Sequence, residues 1–208
     1  MKRRSFLATS GCMLTLPALA GAQAARNNAM PEELRKALER DPTAPVLGNP
    51  DGNITLTEFF DYNCPFCRKM VTPMHRLILE DPQLRVVFRE WPVFGADSED
   101  ATRASLASLR QGKYWQMHTA LFRIPGKATA DTARRAAVEA GLDIARLERD
   151  MMSPEVEKHI TMSFLLADHI GLSGTPSFIV GDEGAFGQLS GDELRGLVSR
   201  ARATLGVG

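Results

Sequence analysis

The run Glu58-Phe59-Phe60-Asp61-Tyr62-Asn63-Cys64-Pro65-Phe66-Cys67 decides how this chain folds. Ile54 to Asp61 is rich in β-branched and aromatic residues and reads as a strand. It runs straight into two cysteines separated by two residues. A helix from about Cys64 to Glu80 follows, with a kink expected at Pro73. The spacing lets the two sulfurs bond to each other across one helical turn. It also places the first sulfur at the helix N-terminus, where unpaired N–H groups and the helix dipole stabilise a thiolate. Such a thiolate is a nucleophile near neutral pH and a good leaving group, the two properties that thiol–disulfide exchange needs.

On either side of this run, Val46-Leu47 reads as a short edge strand and Arg85 to Trp91 as a longer one. A strand, helix, strand unit of this length implies parallel pairing through a crossover helix. Pro31 to Arg40 is an amphipathic helix candidate, with Met30, Leu34, Ala37 and Leu38 at helical spacing. From Ser98 to Gly171 the chain turns Ala-, Leu- and charge-rich, and helices are predicted at about 98–111, 114–123, 131–140, 143–151 and 154–170. Ser98, Asp131, Asp143 and Ser153 are the expected N-caps. Strand signal returns at Ser177 to Val180, followed by a turn at Gly181 to Gly184, a strand at Ala185 to Leu189 and a last helix from Gly191 to Leu205. The fold class is α/β: β-α-β, a helical block, then β-β-α.

The first 24 residues read as a cleaved signal peptide. Lys2, Arg3 and Arg4 precede a mildly apolar run, and Ala22-Gln23-Ala24 offers a cleavage site. Arg3-Arg4-Ser5-Phe6-Leu7 is similar to the twin-arginine export pattern, and the general secretory route stays open beside it. Export implies the periplasm. The whole chain carries 25 Lys+Arg and 25 Asp+Glu, so losing three basic residues leaves the mature part mildly acidic, with no basic stripe for nucleic acid. Of three cysteines, Cys12 leaves with the signal and only Cys64 and Cys67 remain. A loop this small constrains the unfolded chain little, so stapling does not explain the pair. Half of a zinc site is equally poor, because no second Cys pair or closely spaced His pair exists.

Pro45-Val46-Leu47-Gly48-Asn49-Pro50, Glu58 to Cys67, Gln111 to Trp115 with His118, and Gly174-Thr175-Pro176-Ser177-Phe178 together carry a family resemblance. The chain resembles the DsbA-like thiol:disulfide oxidoreductases, closest to the bacterial branch that includes ScsC and the Com1-like proteins. That resemblance implies a thioredoxin fold interrupted by an all-helical insertion, with a cis peptide before Pro176. It implies the division 1–24 signal peptide, 25–42 N-terminal helix and linker, 43–97 first half of the thioredoxin fold, 98–171 helical insertion and 172–208 second half. Exported proteins with thiols or disulfides are the implied substrates, with a membrane redox partner, and no cofactor or metal.

Cys64 is then expected to be the exposed nucleophile and Cys67 its buried partner. Glu58, six residues before Cys64, stands where the fold's buried acid resides and would exchange a proton with Cys67. Pro65, Phe66, Thr175 and Pro176 are the substrate-binding candidates. Pro65-Phe66 lacks the histidine that the family's strong oxidant carries between its cysteines, and Thr175 replaces that protein's valine. Both departures leave open an isomerase or reductase kept reduced by a membrane partner. A copper handler or chaperone using the same thiols is a further alternative, and the helix at 30–40 offers a route to oligomers. Trp115 and His118 are expected to pack the helical block. His75, His159 and His169 read as ordinary residues, and Met151, Met152 and Met162 as core fillers.

Overall fold

A computed structural model describes residues 29–207; the expected signal peptide, its cleavage site and Cys12 lie outside the described residues. The sheet has five strands in the order β1-β3-β2-β4-β5. They are β1 (Val46–Gly48), β2 (Ile54–Phe60), β3 (Leu84–Glu90), β4 (Ser177–Val180) and β5 (Glu183–Phe186). β2 and β3 pair in parallel, and every other pairing is antiparallel. Helix α1 (Glu32–Glu39) precedes the sheet, and α2 (Pro65–Glu80) makes the β2–β3 crossover. Between β3 and β4 come α3 (Ala96–Ser108), a 3₁₀ turn at Leu109–Gln111, α4 (Tyr114–Arg123), α5 (Ala130–Glu139), α6 (Ile144–Asp150) and α7 (Pro154–Ile170). Helix α8 (Gly191–Leu205) closes the chain. This is a thioredoxin-like α/β fold with a helical insertion.

β2 and β3 are buried along their whole length because both sheet faces are covered. On one face Leu56, Phe60, Val86 and Phe88 pack with Met70, Met74 and Leu77 of α2 and Leu194 and Val198 of α8. On the other, Phe59 and Ile179 pack with Leu38 of α1 and Leu166 and Ala167 of α7. Strand alternation also turns Arg85 and Arg89 of β3 toward α1, where they serve its C-terminal end. Arg85 donates to the Glu39 carbonyl, and Arg89, fully buried, donates to the carbonyls of Ala37 and Leu38 and pairs with Asp41 at 2.8 Å. Those carbonyls have no partner within a helix that ends there. The N-terminal helix thus places Leu34, Ala37 and Leu38 on its own sheet. Burying a leucine in this way contributes about 1.5–3 kcal/mol.

Several local expectations need correction. Gly95, not Ser98, caps α3, and Ser98 donates instead to Asp61 Oδ1 at 2.7 Å. Thr129, not Asp131, caps α5, in a reciprocal box with Thr132. The last hairpin is tighter than expected: Val180 pairs Glu183, so Gly181-Asp182 is a two-residue turn with Gly181 at φ 58°. Met152 is exposed rather than a core filler, while Met162 packs beside α1. Asp143 and Ser153 stand at their expected N-cap positions, Asp143 alone with a side-chain bond.

Candidate active site

Cys64 is the N-cap of α2, and the helix begins at Pro65, a residue with no N–H to leave unpaired. In that position Cys64 Sγ accepts the backbone N–H of Cys67 at 3.3 Å and its thiol donates to the Thr175 carbonyl at 3.3 Å. The Thr175–Pro176 peptide is cis, as the resemblance implied. Pro176 leads into β4, which pairs with β2 through Glu58–Phe178 and Phe59–Ser177. One strand pairing therefore brings Thr175 beside residues 111 positions earlier in the chain. Cys64 and Cys67 are free thiols.

The exposed nucleophile expected at Cys64 is a correction: 1% of the residue is solvent-accessible. Thr175 lies over the sulfur while Pro65 and Phe66 point outward, Phe66 with 51% of its surface exposed. Cys64 nonetheless lies shallower than Cys67, and the two thiols differ sharply in acidity. Cys64 is lowered to about 6, first by a hydrogen bond from the Cys67 thiol, then by the nearby Thr175 hydroxyl and by the backbone N–H groups of Cys67 and Phe66, against a burial penalty. Cys67 is pushed far above a free thiol by burial, then by the neighbouring Cys64 sulfur. Cys64 is thus the more acidic of the two sulfurs, and Cys67 the one that keeps its proton.

Glu58 sits on β2 two residues from Phe60, facing α2, and is 4% exposed. Burial, and then the charge of Cys64, pushes it up to about 8. Its charge in turn raises Cys67, so the carboxyl and both sulfurs form one electrostatic group. The geometry thus brings Glu58, Cys64, Cys67 and Thr175 together, with Pro65 and Phe66 exposed at the rim and Pro176 buried across the cis peptide from Thr175.

A polar knot that motif reading missed holds the turn before Cys64. Asp61, fully buried, accepts from the N–H of Asn63 at 2.7 Å, the N–H of Phe94 at 3.0 Å and the Ser98 hydroxyl at 2.7 Å. An Asp followed two residues later by a free N–H is the signature of an Asx turn, so Asp61-Tyr62-Asn63 carried a readable signal. Tyr62 hydrogen-bonds Ser105 at 2.6 Å and lies 3.1 Å from His118 Nδ1. Burial holds His118 down to about 3, which leaves it a neutral packing residue among Phe60, Phe88 and Phe122. His159, read as ordinary, is fully buried with Nε2 2.9 Å from Glu90 Oε2, and Glu90 also accepts from Tyr114 at 2.7 Å. No spacing in the sequence marks that pair.

A mixed sheet that delivers one acidic and one proton-holding sulfur to the start of a helix, opposite a cis-proline loop, is the frame of a thiol:disulfide oxidoreductase. The chain belongs to the DSBA-like thioredoxin domain family, whose model matches residues 55–199. Among solved structures, a thioredoxin-like oxidoreductase from Silicibacter pomeroyi is 48% identical with a TM-score of 0.79, covering 81% of this chain and 98% of its own. A periplasmic thioredoxin-like protein from Salmonella enterica is 26% identical with a TM-score of 0.74, covering 84% and 98%. Among curated proteins, the sodium/proton antiporter NhaA 1 of Mycolicibacterium gilvum is 32% identical over 140 residues, 65% of this chain and 23% of that protein. The chain spans about a quarter of the length of the curated relatives it matches.

Proposed function

We propose that the chain is a periplasmic thiol:disulfide oxidoreductase that exchanges disulfides with exported proteins through Cys64 and Cys67. The observation that carries this reading is the placement of Cys64 at the N-cap of α2, its Sγ accepting the Cys67 N–H at 3.3 Å and lying 3.3 Å from the carbonyl of the cis Thr175–Pro176 peptide, and the acidity of Cys64 follows from it. In the oxidising direction a client thiolate attacks Cys64 of the Cys64–Cys67 disulfide, and the Cys67 sulfur leaves and takes up a proton. Glu58, whose carboxyl is raised chiefly by burial and so holds a proton to give, is the group to supply it. A second client thiolate then attacks the client sulfur of the mixed disulfide and releases Cys64 as a thiolate. The client loses two electrons and gains a disulfide; the enzyme pair gains the electrons. Pro65, Phe66, Thr175 and Pro176 form the client-binding rim.

A membrane redox partner would reset the pair. The expected leader supports export. The division of the chain into 43–97, 98–171 and 172–208 is part of the same proposal, with α7 packed against the sheet rather than apart from it. Oligomerisation through the N-terminal helix would have to use its outer face, since Leu34, Ala37 and Leu38 already pack on their own sheet.

The isomerase or reductase reading keeps one observation in its favour. Thr175 stands where the family's strong oxidant carries valine, and it lies against the redox pair, its carbonyl 3.3 Å from Cys64 Sγ. Equilibration of the pair in glutathione buffers separates the two. A thiol at about 6 lies between the values of about 7 and about 3.5 that accompany reducing and strongly oxidising members of the fold. The expected midpoint is between about −250 and −150 mV. A potential near −270 mV would move the assignment to a reductase. Failure to form the disulfide, with Cu(I) retained by the two thiols, would move it to a copper handler.

A further inference from the structure

Two residues flanking the redox motif reach across to the helical insertion. Asn63, immediately before Cys64, treats Ala128 as a neighbouring strand would: its Oδ1 accepts the Ala128 N–H at 2.8 Å and its Nδ2 donates to the Ala128 carbonyl at 3.0 Å. Arg68, in the first turn after Cys67, forks onto two more carbonyls of the same loop, Ile124 at 2.8 Å and Gly126 at 3.0 Å. Carbonyls at alternate positions 124, 126 and 128 thus all meet donors from the start of α2. Lys127 pairs with Asp97 at 2.6 Å and ties the loop to the start of α3 as well.

The economy of this arrangement is informative. Carbonyls on an exposed loop are satisfied by water at no cost, so Gly126 needs no guanidinium. Arg68 is also the positive charge nearest the pair in sequence, placed where it would otherwise favour a thiolate. Its guanidinium is spent on the loop, and the groups that lower Cys64 are the Cys67 thiol, the Thr175 hydroxyl and the helix-start N–H groups. Cys64 itself is covered, so a client reaches it only along a defined approach.

We infer that Asn63 and Arg68 are positioning residues that hold the Ile124–Thr129 loop as a fixed wall beside Cys64, and that this wall governs exchange with peptide clients independently of the acidity of the sulfur. The inference rests on the oxidoreductase reading and adds a specificity element to it. A small thiol needs no wall; an extended peptide lying along Thr175 does.

The test uses the full mature chain and the Asn63→Ala/Arg68→Ala double variant. Three rates are measured: oxidation of a short synthetic dithiol peptide by the disulfide form, reduction of that form by glutathione, and alkylation of the reduced form by iodoacetamide across pH. The expected result is peptide exchange slowed about 10- to 100-fold, mainly through KM. Glutathione reduction stays within about twofold and the alkylation midpoint within about half a unit. Peptide exchange at the wild-type rate overturns the inference, as does a loss matched by glutathione or by a moved midpoint. Should the double variant not fold, Arg68→Lys keeps the charge but not the fork, and slower peptide exchange with an unmoved midpoint is again required. If the wild type oxidises no peptide although Cys64 alkylates, the oxidoreductase reading itself falls.

Discussion

The backbone N–H of Cys67 donates to Cys64 Sγ at 3.3 Å, so the helix that buries one sulfur also ionises the other. The Cys67 thiol adds the largest single contribution to the acidity of Cys64, and the Thr175 hydroxyl follows it. Reactivity at Cys64 is therefore a property of three residues from two distant parts of the chain.

Removing those donors should raise Cys64. Cys67→Ala takes away the thiol but keeps the N–H, and its alkylation midpoint should rise by about one unit; Thr175→Val should raise it by about half as much. Iodoacetamide kinetics across pH check both. An unchanged midpoint in Cys67→Ala would assign the acidity to the helix terminus alone.

Glu58 and Cys64 act on stability with opposite signs. Glu58 rises from an ordinary 4.5 to about 8, so between those values the folded protein holds a proton that the unfolded chain has released. Stability conferred by the neutral carboxyl is lost as pH climbs through that window. Cys64 falls from 9.0 to about 6, so between those values the unfolded chain holds the extra proton and stability rises with pH. In the reduced protein the two slopes oppose each other between about pH 6 and 8. In the oxidised protein Cys64 does not titrate and only the decline due to Glu58 remains. Denaturant melts of the oxidised form should weaken from pH 5 to 8, and Glu58→Gln should remove about 2–4 kcal/mol of that decline. Parallel curves for variant and wild type would place the titration elsewhere.

The lowered Cys64 should make the reduced protein the more stable redox form at neutral pH, since the thiolate exists only there. Guanidinium unfolding at pH 7 of protein held reduced and held oxidised measures the difference directly. A more stable disulfide form would contradict an oxidising role.

Arg89 should be among the most costly positions outside the site. It is fully buried, paired with Asp41, and donates to two carbonyls at the end of α1. Arg89→Met leaves Asp41 Oδ2 and both carbonyls without the guanidinium, while Oδ1 keeps its two bonds from Thr43, a loss of about 3–5 kcal/mol. Urea unfolding checks it, and a cost below about 1 kcal/mol would mean that α1 is held by its apolar face alone.

Local pattern made most of the architecture legible. The motif run located β2 and the start of α2, and the predicted last helix matches α8 from Gly191 to Leu205. What sequence could not carry were properties that depend on a distant partner. Cys64 was expected to be exposed because nothing near it says that Thr175, 111 residues away, lies over the sulfur. Ser98 was expected to cap a helix because its competitor for that hydroxyl, Asp61, sits 37 residues earlier. The same holds for Asn63 and Ala128, and for the buried Glu90–His159 pair: each residue alone is unremarkable, and only the fold brings the partners together.

The chemistry of this site depends on Cys64 being the acidic sulfur and Cys67 the one that keeps its proton. Rapid alkylation of the reduced mature protein across pH 3–10, with the modified cysteine identified by peptide mass, measures it most directly. A single midpoint near 6 at Cys64, with Cys67 unmodified throughout, is the predicted result. A Cys64 midpoint at about 8.5, that of a free thiol, or modification of both cysteines together would contradict the account.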